Sequence, residues 1–211
     1  MFEIIVAGGW LMVPIILSSV VALAIIAERF WSLREEKVAP KGLVAQVWQL
    51  RKSGQLSKEH LVALRNSSPL GRVLAAGLLN MGHSREVMKE ALEESGRQVV
   101  LELERYLNTL GTVASVAPML GLLGTVFGMI KVFTAIGQVG VGNPTVLADG
   151  ISVALITTAA GLTVAIPTLM FYRYFRGKVD ALVLKMEEEA LKLVEVLHGE
   201  RESDSAEGNG R

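Results

Sequence analysis

Apolar positions along this chain gather into three long runs, and the segments between them alternate apolar and polar residues with a helical period. Ile4 to Ala27, Tyr106 to Ile130 and Gly150 to Tyr172 contain no Asp, Glu, Lys or Arg. At 1.5 Å rise per residue, each run is long enough to span the ~30 Å hydrocarbon core of a bilayer. The pattern predicts an all-α membrane protein with three transmembrane helices, over 1–28, 106–136 and 147–172.

The polar segments also read as helix. From Ser84 onward, "SREVMKEALEESGRQVVLELERYLNTL" opens with Ser84 as N-cap and Glu86 in the first turn, where an acid complements the helix dipole. Val87, Ala91, Val99, Leu103 and Leu107 suggest one apolar face. Only Gly96 and Gly111 interrupt the pattern, so it predicts one continuous helix from Ser84 to Ile136, about 80 Å long. Val179, Leu182, Met186, Ala190, Leu193 and Leu197 form a second stripe, and Glu188 and Lys192 make an i,i+4 pair on its charged side. Ordinary bundle packing accounts for both stripes. Shorter helices are predicted over 40–53, 57–66 and 69–82. "GERESDSAEGNGR" offers nothing large and apolar to fold on, which predicts a disordered tail over 199–211.

Charge sets the orientation. Between Arg29 and Arg105 there are 13 Lys and Arg, after Tyr172 there are 7, and the first 28 residues have none. The connection "AIGQVGVGNPTV" is uncharged. Excess basic residues mark cytoplasmic segments. The N-terminus is therefore expected outside and the C-terminus in the cytoplasm. A cytoplasmic helical domain is expected over 29–105, a periplasmic loop over 137–146 and a cytoplasmic helix over 173–198. Trp10, Phe30, Trp31, Tyr172, Tyr174 and Phe175 stand where interfacial aromatic anchors are expected. The first run has an acidic start and exceeds a signal-peptide core in length, so a retained anchor is expected.

Composition removes several function classes. The formal net charge is zero, which suggests no nucleic-acid partner. Without cysteine there is no disulfide or thiolate chemistry. His60, His83 and His198 lie apart in polar surroundings without metal-ligand spacing. No nucleophile–base set or phosphate loop is visible, so neither an enzyme nor a cofactor is expected. An ordinary substrate transporter would show an inverted repeat or a pair of broken helices, and neither is seen.

The second and third runs carry small residues where a simple anchor would carry leucine. Gly121, Gly124 and Gly128 lie at i,i+3 and i,i+4 in "APMLGLLGTVFGMIK", and Ala154, Thr158, Gly161 and Ala165 follow the same spacing in "GISVALITTAAGLTVAIP". Small faces let helix backbones approach closely in lipid, where van der Waals contact drives association. Tight packing is one reading of them. Thr125 and Thr158 add hydroxyls to these faces, and the second reading is the wall of a narrow polar path shared by several subunits.

These two motifs, with the order and lengths of the three helices, resemble the ExbB/TolQ/MotA proton-channel family, and most nearly its ExbB-like or TolQ-like branch. The resemblance implies a homo-oligomer, a pentamer, in the inner membrane of Gram-negative bacteria, with the second and third helices lining a central pore. It implies that the pore holds single transmembrane helices of an ExbD-like or TolR-like partner. Protons would pass by an aspartate on that partner, and work would reach a TonB-like or TolA-like protein. Thr125 and Thr158 fall on the family's pore-facing threonines.

One departure bears on the proton path. The family commonly carries a glutamate early in the third helix, and here that place holds Val153. The nearest acid is Asp149, one turn earlier, which reads as a helix-start acid at the outer end or as a titrating group. Because mid-membrane proton relays ordinarily need an ionisable group, the titrating carboxylate is expected on the partner. A scaffold or anchoring subunit that conducts nothing would show the same small faces and remains the alternative.

Overall fold

The computed structural model describes residues 8–139 and 144–208, with side chains described for 8–138, 144, 145 and 147–197. The described residues form helices and turns, with no strand among them. In chain order the helices are α1 (Met12–Ser32), α2 (Glu35–Val38), α3 (Leu43–Lys52), α4 (Lys58–Ser67), α5 (Pro69–Leu79), α6 (Arg85–Leu103), α7 (Leu107–Val139) and α8 (Pro144–Gly208). Three stretches are long and apolar enough to cross a membrane: Met12–Ser32, Arg85–Gln138, which takes in α6 and α7, and Leu147–Leu197 within α8. The chain is an integral membrane protein by these spans.

Residues 1–29 with 106–175 form one compact unit, and 30–105 with 176–211 form a second. The first unit exposes much of its apolar surface. Its buried positions include Ala22, Ala114, Ala117, Ala154 and Ala165, while Leu17, Leu23, Met119, Leu122, Phe133, Leu155 and Met170 are all more than 60 % exposed. Small residues thus stand at close helix contacts while many large ones face outward, where lipid is a favourable medium; Ile15, Leu107, Leu110 and Phe175 are large and buried. The turn before α1 reaches α7 through Trp10, whose ring meets Phe127 edge-on at 5.7 Å. The Arg29 guanidinium, almost fully buried, sits 5.6 Å from the Tyr106 ring and pairs with Glu28. Phe175 is fully buried against Phe171 and Tyr174, so its expected role as an interfacial anchor is not met.

The second unit has a conventional apolar core built on Leu33, Val38, Leu70, Leu74, Leu78, Met88 and Val99. Helix starts follow the hydroxyl caps in the sequence. Ser57, Ser68 and Ser84 accept from the backbone N–H groups of His60, Gly71 and Val87, each satisfying a donor the helix cannot. The Glu86 carboxyl is held below its usual range by its own backbone N–H and by the Ser84 hydroxyl. Val179, Leu182, Met186, Ala190, Leu193 and Leu197 are all buried, as their spacing predicts. The short helix α2 has no counterpart in the sequence reading.

Several expectations need correction. The predicted unbroken helix from Ser84 to Ile136 divides into α6 and α7. The break lies at neither glycine: Tyr106 takes φ 63°, a left-handed conformation that ends a helix and costs an L-residue roughly 1–2 kcal/mol. The apolar face of α6 begins at Met88 and Leu92, not at Val87, which is 40 % exposed, or Ala91. The larger pair supplies more area to bury and turns the helix toward itself. Lys192 bonds Glu189 at i,i+3 instead of Glu188, at 2.6 Å. The helix α8 continues through 199–208, where a disordered tail is predicted; elongation from an already packed helix adds one hydrogen bond per residue without a new nucleus. Residues 209–211 lie outside the described residues, as do 1–7 of the predicted first span and 140–143 of the predicted loop.

Candidate functional site

The small faces of α7 and α8 meet and form a seam. Gly121, Gly124, Gly128, Ala154 and Gly161 are all buried in it. A methyl group placed on Gly121 would lie 3.0 Å from the Thr157 carbonyl oxygen, and one on Gly161 would lie 2.6 Å from the Ala117 carbonyl oxygen. On Gly128 it would lie 2.7 Å from the Gly150 carbonyl oxygen and 2.9 Å from the Ala154 methyl. Backbone therefore touches backbone along the seam, which only hydrogen in place of Cβ permits.

Hydroxyls lie in and beside this contact. Thr158 is half-buried, and its Oγ1 donates to the Gly121 carbonyl across the seam at 3.1 Å. Thr157 is fully buried, donating to the Val153 and Ala154 carbonyls of its own helix at 2.9 and 3.0 Å. Its side chain fills the space left by the absent Cβ of Gly124. Thr125 stands at the edge of the seam, half-buried, and donates back to the Leu122 carbonyl at 2.6 Å. Val153 is also half-buried.

Asp149 does not start a helix. Because α8 begins at Pro144, Asp149 falls beyond its first turn, where the dipole effect has faded. Its Oδ2 instead lies 2.7 Å from the Lys131 Nζ on α7, with the two side chains 58 and 57 % exposed. The helix-start reading is corrected to an ion pair between helices. Among the described residues, no group of three or more His, Asp or Glu is placed to hold a metal.

The structure thus joins Thr158 to Gly121, Gly124, Gly128, Ala154 and Gly161, and leaves Thr125 on the flank. The sequence reading missed Thr157 and the partner of Asp149. Thr157 was legible: from Ala154 the i,i+3 step reaches residue 157 and the next i,i+4 step reaches Gly161, so the small face runs through both threonines. The pairing of Lys131 with Asp149 depends on the register between two helices, which spacing within one helix does not fix.

Residues 65–188, more than half of the chain, match the MotA/TolQ/ExbB proton channel family. The chain belongs to that family. ExbB-like 3 of Synechocystis is 35 % identical over 176 residues, covering 81 % of this chain and 82 % of that one. The biopolymer transport protein exbB1 of Vibrio cholerae is 29 % identical over 186 residues, covering 82 % and 78 %. The Tol-Pal system protein TolQ of Haemophilus influenzae is 31 % identical over 160 residues, covering 74 % and 65 %. The matched region of this family member takes in α5, α6, α7 and most of α8, and so the whole seam. Membership places it among proton-channel proteins.

Proposed function

We propose that this chain is the pore-forming subunit of a proton-driven motor in the bacterial cytoplasmic (inner) membrane, with its N-terminus outside. It assembles as a homo-oligomer, a pentamer by analogy with its family, around the helices of an ExbD-like or TolR-like single-span partner. Work passes to a TonB-like protein for outer-membrane transport, or to a TolA-like protein in the second version of the same machine.

One observation carries this reading: α7 has no acid, and Asp149, the one acid of α8 as far as Phe175, is tied to Lys131. A proton relay at mid-membrane needs an ionisable group, so a second component supplies the carboxylate. Thr158 is suited to meet it. Its one hydrogen is given to Gly121, leaving oxygen lone pairs free to accept from a neutral carboxylic acid. Thr125 offers a second oxygen on the flank of the same seam.

The test is co-reconstitution in proteoliposomes with an ExbD-like or TolR-like single-span protein, with proton flux read by a pH-sensitive dye. Flux is expected with both components and absent with either alone. Thr125→Val and Thr158→Val are expected to keep the partner through purification. Each should lower flux about 3- to 30-fold, the equivalent of roughly 0.6–2 kcal/mol per membrane hydrogen bond. Equal flux from this chain alone, or full flux in both variants, refutes the assignment. An intact complex that conducts nothing returns the scaffold reading.

A further inference from the structure

Glycine contacts bring α7 and α8 together and admit Thr157 at Gly124, and a polar contact of a different kind lies nearer the end of the seam. Gly128 and Gly150 face each other so closely that the Gly128 carbonyl lies 3.0 Å from where a Gly150 methyl would be. Beside this backbone contact Val132 seats at the Gly150 position, as Thr157 does at Gly124, so shape also contributes to register. Lys131 and Asp149 stand on the flank of this crossing. Asp149 immediately precedes Gly150, and Lys131 immediately precedes Val132, which packs at the Gly150 position. Their bond runs between helices over 18 positions of sequence. It is directional and charge-assisted, two properties the glycine contacts lack.

We infer that Lys131 and Asp149 are positioning residues, a charge-neutral clasp that sets the register of α7 against α8 at the end nearest 139 and 144. Each side chain cancels the other's charge at the end of two apolar spans, with both more than half exposed. The pair adds a polar, directional contact to the shape contacts of the seam. The clasp thereby positions the Gly121 carbonyl and Thr158 hydroxyl lower in the same seam. Its part in proton flux rests on the proposed function above; its part in register does not.

The test uses the full chain, which has no cysteine of its own. Spin labels at Gln138→Cys and Thr145→Cys, both exposed, report the distance between the helix ends in lipid. The parent should give one narrow distance distribution. Lys131→Met and Asp149→Asn should each broaden or shift it. The swap Lys131→Asp with Asp149→Lys should restore it. Flux through the reconstituted complex should fall about 5-fold in each single variant and return to within about twofold in the swap, with the same pH profile as the parent. Unchanged distances in both single variants overturn the clasp. A swap that restores the distances while flux stays lost supports the register role and overturns the clasp's part in flux, because Asp149 then takes part by its own protonation. A clasp seen in the distances, with no flux even from the parent, leaves the register role standing and removes the proposed function.

Discussion

A methyl group added to Gly124 tests the seam most directly. The new Cβ would overlap Oγ1 and Cβ of Thr157 and lie 2.9 Å from its Cγ2, whereas ordinary van der Waals contact begins near 3.4 Å. Thr157 cannot swing aside, because it is fully buried and its hydroxyl is held by two carbonyls. The helices must separate by at least 0.5 Å, from the Cγ2 contact alone. A gap of that size already forfeits about a quarter of a dispersion contact, and it acts on every backbone contact along the seam. Overpacking of this kind costs about 1–3 kcal/mol. Stretching the Thr158 to Gly121 bond adds up to roughly 0.6–2 kcal/mol. Gly124→Ala is therefore expected to cost about 2–5 kcal/mol. The assay is reversible unfolding in mixed micelles by increasing SDS. Gly177→Ala is the control: its methyl meets nothing within 4 Å, and it should stabilise by about 0.5–1 kcal/mol through helix propensity. If Gly124→Ala unfolds at the parent's midpoint, the backbone contact described here is wrong.

Three further outcomes are expected. Leu193→Ala should cost about 2–5 kcal/mol because the side chain is fully buried, while Leu191→Ala, 53 % exposed, should cost a small fraction of that; equal losses in SDS unfolding would contradict the stripe on α8. Glu35 is held below the usual carboxylate range by its hydrogen bond and charge contact with Lys185; its stabilising contribution is present above the unfolded value of about 4.5 and is lost as pH falls below it, so Glu35→Gln should flatten the fall in stability between pH 6 and 3. For topology, a cysteine at Ser53 should resist an impermeant thiol reagent in intact spheroplasts and one at Gln138 should react; the reverse pattern refutes the orientation.

Much of the fold was written in one dimension. Three uncharged runs marked the spans, and spacings of three and four residues marked the buried stripe from Val179 to Leu197, because both depend only on a single helix's own period. What escaped depends on meeting another element. The face of α6 turned from Val87 to Met88 once it had a partner to pack against. The helix break fell at Tyr106, a residue with no evident breaking tendency, while Gly96 and Gly111 stayed helical. At the site, the small residues and Thr158 were legible from their spacing. The ion pair of Lys131 with Asp149 was not, because its two members belong to different helices and their register is a tertiary fact.

The scarcity of large side chains in the seam also has a thermal consequence. Separating α7 from α8 exposes glycine backbone and a few methyl groups, and little of the apolar area whose hydration generates a heat-capacity change. Attraction that rests on dispersion, the Thr158 hydrogen bond and the Lys131–Asp149 ion pair does not fade on cooling as hydrophobic burial does. The second unit, cored by Leu70, Leu74, Leu78 and Leu193, has the opposite dependence. The two units of this chain thus differ in how they respond to cold: the leucine core weakens, while the glycine seam keeps its grip.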